Sequence, residues 1–140
     1  MPRTSVDRGR DPCHSAACMA GAFDDLARIT PLQLFDGMVV RPVRGERITF
    51  GVVELEPDSV VPEHHHENEQ LGIVVRGALT LRVGDEERTL RPGETWCIAP
   101  HVAHSGRAGS EGAVVIDVFS PPRDDWESLD RLGARAPRWP

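Results

Sequence analysis

From Leu32 onward, apolar positions recur in short runs that alternate with polar ones, and pairs of turn-forming residues separate the runs. Alternation with a period of two places successive side chains on opposite faces of an extended strand. Leu79, Leu81 and Val83 show it cleanly. The pattern predicts strands over Leu32–Phe35 and Met38–Val43, divided by the turn pair Asp36-Gly37, and over Arg47–Leu55, which is apolar on both faces and ends at Glu56-Pro57-Asp58. Val60–His66, Gln70–Arg76 and Ala78–Val83 follow, and Gly84-Asp85-Glu86 turns the chain into Glu87–Leu90. Beyond the break at Arg91-Pro92-Gly93 the pattern resumes over Thr95–Ile98, Ala103–Arg107 and Ala113–Phe119, and Pro121-Pro122 stops it. Asp124–Leu132 reads as a short helix, and Phe23–Ile29 as one helical turn before Pro31. About eight to ten short strands with so little helix predict an all-β sandwich or barrel.

The length of 140 residues suits one domain with a single core, and 39% apolar residues is low enough to predict unstructured ends. Met1–Ala17 mixes Pro, Arg, Asp, Ser and Gly without a hydrophobic period, and Met19 opens a more ordinary sequence and offers an alternative start. The expected division is a disordered leader over 1–20, a β-barrel domain over 21–127 and a tail over 128–140. A net charge of −6 argues against nucleic acid or an anionic membrane surface as partner, since both need a basic face. With no apolar run of about eighteen residues and no basic-then-apolar leader, a cytoplasmic protein is expected.

Absences narrow the chemistry further. All sixteen basic residues are arginine, so no lysine is available for a Schiff base. Tyrosine is also missing, which leaves His, Asp, Glu and Cys for proton transfer. Cys13, Cys18 and Cys97 form an odd set that fits neither a disulfide framework nor a four-cysteine zinc site, and Cys97, beside Trp96 in a strand, is expected in the core. No glycine-rich phosphate loop follows a strand, which speaks against a nucleotide cofactor.

Three of the six histidines are consecutive, in Pro62-Glu63-His64-His65-His66-Glu67-Asn68-Glu69-Gln70. On a strand His64 and His66 share a face and His65 turns away. A turn at Glu67-Asn68-Glu69 brings Gln70 back beside them. Two imidazoles and an amide oxygen then converge as ligands for a borderline divalent metal, and a closed barrel can deliver a fourth from the downstream pair His101 and His104. Glu67 and Glu69 are the substitute ligands if the turn runs differently.

These residues give the chain its resemblance to the single-domain cupins of the small jelly-roll class. The first cupin motif is a histidine, one residue, a second histidine, three or four residues, an acidic residue, six residues and a glycine. His64, His66, Gln70 and Gly77 meet that spacing. Gly93 and His104 match the second motif, which assigns His104 to the ligand set and leaves His65 and His101 outside it. Three positions depart from the pattern. Asp58 stands where a glycine is expected six positions before His64, Ala99 and His101 replace the proline and glycine of the second motif, and Gln70 replaces the acidic ligand.

Within the cupins the chain is similar to the pectin-degradation proteins that ketonise unsaturated uronates, over residues 38 to 127. Their His-x-His, Gln and later His are accompanied by a late strand reading Asp-x-Phe and then Pro and Arg, as in Asp117-Val118-Phe119-Ser120-Pro121-Pro122-Arg123. The resemblance implies a metal-dependent isomerase for a small sugar acid. One divalent ion (Ni, Zn, Mn or Fe) would bind His64, His66, Gln70 and His104, Asp117 would move protons, Arg123 would grip the substrate carboxylate and Phe119 would exclude water. An Fe(II) dioxygenase and a non-catalytic small-molecule-binding cupin are the alternatives.

The late strand can also be read from its residues alone. Val115, Asp117 and Phe119 share one face, so Asp117 is a carboxylate in an apolar element, costly to bury unless paired or protonated. It is either half of an ion pair with an arginine such as Arg123 or an acid/base near the metal. Trp96 and Trp126 read as packing residues. Leu71, Ile73 and Val75, opposite the ligand side of their strand, and the two-faced Arg47–Leu55 strand predict a homodimer, because a small barrel has only one interior.

Overall fold

The eight strands pair antiparallel throughout: β1 (Leu32–Phe35), β2 (Met38–Arg44), β3 (Thr49–Leu55), β4 (Val60–His64), β5 (Glu69–Val83), β6 (Glu86–Leu90), β7 (Thr95–Ile98) and β8 (His104–Ser120). The structure is a computed structural model that describes residues 21–140, so the expected disordered leader over 1–20, with Cys13 and Cys18, lies outside the described residues. The strand order is β1-β2-β3-β8-β5-β6, with β4 added to β8 and β7 to β5. The result is the expected jelly roll, in which β8 and β5 serve two packed sheets. Residues 113–119 of β8 pair with β3, while residues 104–107 pair with β4.

The sequence pattern broke each of these long strands in two, at Gly77 and after Arg107. The structure carries both through, because the breaks are bends within strands. Gly77 and Gly112 adopt φ of 75° and 78°. A Cβ on Gly77 would lie 2.1 Å from the Gly112 carbonyl oxygen, and one on Gly112 would lie 2.6 Å from the Leu55 oxygen. Only glycine lets the two chains cross that closely while turning from one sheet to the other.

Val40, Val53, Leu55, Val61, Leu79, Leu81, Ile98 and Val115 fill the space between the sheets. Cys97 does not join them. Trp96 and Ile98 take the inward positions of β7, so the residue between them points outward and is exposed. The expected helix over Asp124–Leu132 is a 3-10 turn limited to Asp124–Ser128, anchored by buried Trp126. Beyond it the chain is extended and pairs with β1: Gln33 N donates to Asp130 O at 2.9 Å and Leu132 N to Pro31 O at 2.9 Å. A second 3-10 turn, Leu26–Arg28, is capped by Asp25.

The last residues return across the outward face of β2 and β3. There Arg41 and Glu54 form a fully enclosed ion pair at 2.7 Å. Arg41 Nη2 also donates to Arg135 O at 2.9 Å, and Arg138 N to Glu54 Oε2 at 3.2 Å. The second buried face of β3 therefore has a cover within its own chain.

Candidate metal centre

β4 ends where β8 begins, and the register pairs His64 directly with His104. Their ring centroids are 4.2 Å apart. His66, two residues past the end of β4, completes the group at 5.0 Å from His104 and 5.9 Å from His64. Its backbone is pinned by His101 N, which donates to His66 O at 2.8 Å. One ring nitrogen from each of the three lies within 4.8 Å of the others, close enough to share an ion. His65 and His101 are exposed, and exposed Glu67 and Glu69 fall outside the cluster.

Each imidazole is oriented the same way. Nδ1 of His64, His66 and His104 lies against the carbonyl oxygens of Pro62, Asn68 and Val102 at 2.7, 3.0 and 2.9 Å. A carbonyl can only accept, so Nδ1 of His64 and of His104 carries the proton and Nε2 keeps its lone pair, the arrangement that backbone carbonyls impose on metal-binding histidines, while His66 faces an acceptor oxygen at each ring nitrogen. Burial lowers the pKa of all three, that of His104 to about 4, which keeps the rings neutral and able to coordinate. His104 Nε2 is enclosed and has no hydrogen-bond partner.

Gln70 enters from β5. Its Nε2 donates to Asp117 Oδ1 at 3.0 Å, which turns Oε1 toward His66 Nε2 at 3.1 Å. A neutral His66 has one N–H for two acceptor oxygens, so one ring lone pair faces an oxygen in either tautomer, and with the proton on Nδ1 a cation shared by Nε2 and Oε1 removes that repulsion. The orphaned Nε2 of His104 and this acceptor pair fit a divalent ion held by three imidazoles and one amide oxygen.

Asp117 lies one strand away on β8, diagonal to Gln70, which pairs with Phe119. It forms no ion pair among the described residues: Arg123 gives its Nε and Nη2 to Asp125 at 3.0 and 2.9 Å. Two neutral donors reach Asp117 Oδ1 instead, Gln70 Nε2 and Trp96 Nε1, the latter at 3.2 Å. Burial outweighs these bonds and the nearby Arg123 charge and raises the Asp117 pKa to about 6. Phe119, two residues on, packs edge-on against His66 and Trp126 at 5.7 and 5.1 Å. The Arg123 guanidinium sits 4.8 Å from both the Phe119 and Trp126 ring centroids. These groups line one cavity of about 260 Å³, which also contains His64, His104, Gln70 and Trp96.

Three participants were absent from the sequence expectations. Trp96, read as packing, is a hydrogen-bond donor to Asp117. Asp125 occupies one edge of the arginine assigned to substrate. Buried Asn68 both accepts from His66 through its carbonyl and ties the histidine loop to Pro121 O with its amide. None of the three belongs to the motif spacing: Trp96 and the Asn68 amide act on strands and loops distant in sequence, while Asp125 and the Asn68 carbonyl act on residues two positions away.

The two departures from the cupin glycine pattern also acquire a physical meaning. Asp58 and His101 adopt φ of 60° and 66°, and no other described residue except glycine has a positive φ. The backbone retains the left-handed turn that glycine serves, and Asp and His are among the side chains that tolerate it.

Comparison with known proteins agrees with this geometry. The Cupin domain model matches residues 51–119. The pectin degradation protein KdgF of Dickeya dadantii is 31% identical over 65 residues, covering 46% of this chain and 59% of that relative's length. The structure of KdgF from Halomonas sp. superposes with a TM-score of 0.69 at 30% identity, covering 75% of this chain and 97% of that one. An RmlC-like cupin from Shewanella frigidimarina, 22% identical over 74% of this chain and 93% of its own, gives the same TM-score of 0.69 and shows the fold alone. With its histidine cluster where two sheets meet, this chain belongs to the cupin family and stands close to the KdgF pectin-degradation proteins.

Proposed function

We propose that the protein is a metal-dependent isomerase that converts 4,5-unsaturated uronates to their linear keto forms. The observation that carries this reading is the placement of an uncompensated carboxylate, Asp117, in the same small cavity as His64 and His104, two of the three histidines whose ring nitrogens converge. A divalent ion (Ni, Zn, Mn or Fe) held by His64, His66, His104 and Gln70 would supply Lewis acidity toward substrate oxygens, undiminished by any anionic ligand. Arg123 binds the substrate carboxylate through Nη1, the terminal nitrogen that Asp125 leaves free. The Phe119 and Trp126 rings, each with its centroid 4.8 Å from the guanidinium carbon, hold that group in place.

Asp117 accepts the proton of the anomeric hydroxyl as the ring C–O bond breaks, which leaves an aldehyde and makes the ring oxygen that of an enolate. The same carboxyl returns that proton to the alkene carbon remote from the oxygen, so the enolate becomes a ketone and Asp117 is again a carboxylate. Atoms and electrons balance without an oxidant. Phe119 keeps water from the His66 side of the cavity. The cavity volume of about 260 Å³ suits a monosaccharide rather than an oligomer.

The test is the ultraviolet chromophore of the unsaturated sugar released by pectate or alginate lyases. These sugars also open spontaneously, so the expected result is faster decay with metal-loaded protein. Equal decay with and without it refutes the uronate reading, and oxygen consumption then tests the oxidative alternative.

No helix among the described residues is long and apolar enough to cross a membrane, and a cytoplasmic location belongs to the same proposal. The outward side of β5, where Leu71 is 46% exposed beside Ile73 and Val75, is assigned here to a second copy of the chain. A monomer by light scattering at micromolar concentration would refute that assignment.

A further inference from the structure

Trp96, Gly72 and Asp117 lie side by side across three strands: β7 pairs Trp96 with Gly72, and β8 pairs Asp117 with the same Gly72. Neighbouring strands are about 4.8 Å apart, so a side chain on β7 must cross a whole strand to touch one on β8. An indole can do so only where the residue between has no side chain. A Cβ placed on Gly72 would lie 2.1 Å from Trp96 Cε2, 2.2 Å from Cζ2 and 2.3 Å from Nε1, so the ring lies flat on the glycine backbone. Its Nε1 then reaches Asp117 Oδ1 at 3.2 Å, and Gln70 Nε2 reaches that same oxygen at 3.0 Å.

Oδ2 is treated differently. Among the described residues it takes no hydrogen bond, and it is not one of the enclosed unpartnered side-chain atoms, which are Arg41 Nε, His104 Nε2 and Trp126 Nε1. Because Asp117 lines the cavity and only its Oδ1 is bonded, Oδ2 is the oxygen with hydrogen-bonding capacity left for whatever occupies it.

We propose that Trp96, laid across Gly72, is a positioning residue that fixes the Asp117 carboxylate by Oδ1 and so assigns proton transfer to Oδ2. The catalytic half of this proposal rests on the isomerase reading above. With one donor on each side of Oδ1, rotation of the carboxylate costs both bonds, and Oδ2 stays directed at the substrate. Loss of the indole donor leaves Gln70 alone, and the carboxylate turns more freely. Binding of the substrate carboxylate at Arg123 does not involve Trp96, so the effect falls on kcat rather than KM.

Two variants and one spectroscopic signal test this. Trp96→Phe keeps a ring over Gly72 and removes the N–H. Gly72→Ala keeps the N–H and displaces the ring. Both are expected to lower kcat by about tenfold to a hundredfold, the scale of losing a hydrogen bond that orients a site residue, with KM held within about twofold and metal content unchanged. In an amide-type nitrogen–proton spectrum, the indole signal that disappears in Trp96→Phe is expected to be slow to exchange in wild type. It is expected to shift and exchange faster in Asp117→Ala.

An active wild type with unchanged kcat in Trp96→Phe overturns the proposal. So does an indole signal that is the same in wild type and Asp117→Ala. A wild type that gives no acceleration sinks the isomerase reading instead, and the indole signal by itself then upholds or overturns the fixed carboxylate.

Discussion

Two carboxylates are buried in the same part of the sheet, on opposite faces, and their surroundings differ in one respect. Glu54, on the outward face of β3, meets the Arg41 guanidinium at 2.7 Å and the backbone N–H of Arg138 at 3.2 Å. Asp117, on the inward face of β8, meets only two neutral N–H groups, both on Oδ1. Burial costs a carboxylate most when no cation neutralises it. The Glu54 pair is closed, with its charges spent on each other and the C-terminal segment laid over them. The Asp117 site is open in the electrostatic sense, and its pKa rises to about 6, where a carboxyl can both give and take a proton near neutral pH. The compensated group is the structural one in this account, and the uncompensated one is the proposed acid/base.

Substitution separates the two most sharply. Asp117→Asn is expected to lower turnover by about a hundredfold to ten-thousandfold, the range for loss of a general acid–base group. It should not destabilise the protein, and at pH 8 removal of the buried charge should stabilise the metal-free fold by about 1–3 kcal/mol. Glu54→Gln should do the reverse, costing about 3–5 kcal/mol because buried Arg41 loses its partner, while turnover per folded molecule is retained. Urea unfolding and initial rates on both variants check the pair, and equal loss of stability in the two would remove the distinction.

A pH series on metal-free protein sharpens it. The three histidines have lowered pKa values in the fold, so the unfolded chain binds their protons first and stability falls as pH drops below about 6.5, through about 4 for His104. Asp117 has a raised pKa, so its contribution is present at low pH and is lost as pH rises through about 6. The histidines outnumber it, and net stability is expected to rise with pH across this window. Asp117→Asn removes the opposing group, and the slope should steepen by up to about 1.4 kcal/mol per pH unit. An unchanged slope would mean that Asp117 is not the titrating group.

How much of this was visible beforehand follows from distance along the chain. His64, His66 and Gln70 stand within seven residues, so a short loop suffices to converge them, although the expected strand Val60–His66 ends at His64 and His66 is carried by the loop instead. His104 came from motif spacing, and the structure places it opposite His64 by register. The choice between an ion pair and an acid/base role for Asp117 could not be made from sequence, because it depends on where Arg123 points, and Asp125, two residues away, takes that arginine locally. The Trp96–Gly72–Asp117 row needs the registers of β7, β5 and β8 at once. The continuity of β5 and β8 was hidden for a related reason: a glycine that bends a strand and one that ends it look alike in a sequence. The return of the tail over Arg41 and Glu54 lacks any periodic signal, since single hydrogen bonds hold it rather than an apolar stripe.

The smallest expected effect concerns the loops that carry the histidines. Asp58→Gly and His101→Gly relieve positive φ and should each stabilise by about 0.5–1 kcal/mol, with turnover unchanged. Destabilisation by either would show that its side chain, not its backbone conformation, is what that turn requires.

The most direct test of the central claim compares wild type and Asp117→Asn at equal metal content, established by elemental analysis, on the lyase-derived unsaturated uronate. The account predicts one divalent ion per chain in both proteins, fast loss of the ultraviolet chromophore with wild type, and decay with the variant close to the spontaneous rate. Equal acceleration by the two metal-loaded proteins would contradict it, for the chemistry would then proceed without the one buried carboxylate that the site leaves uncompensated.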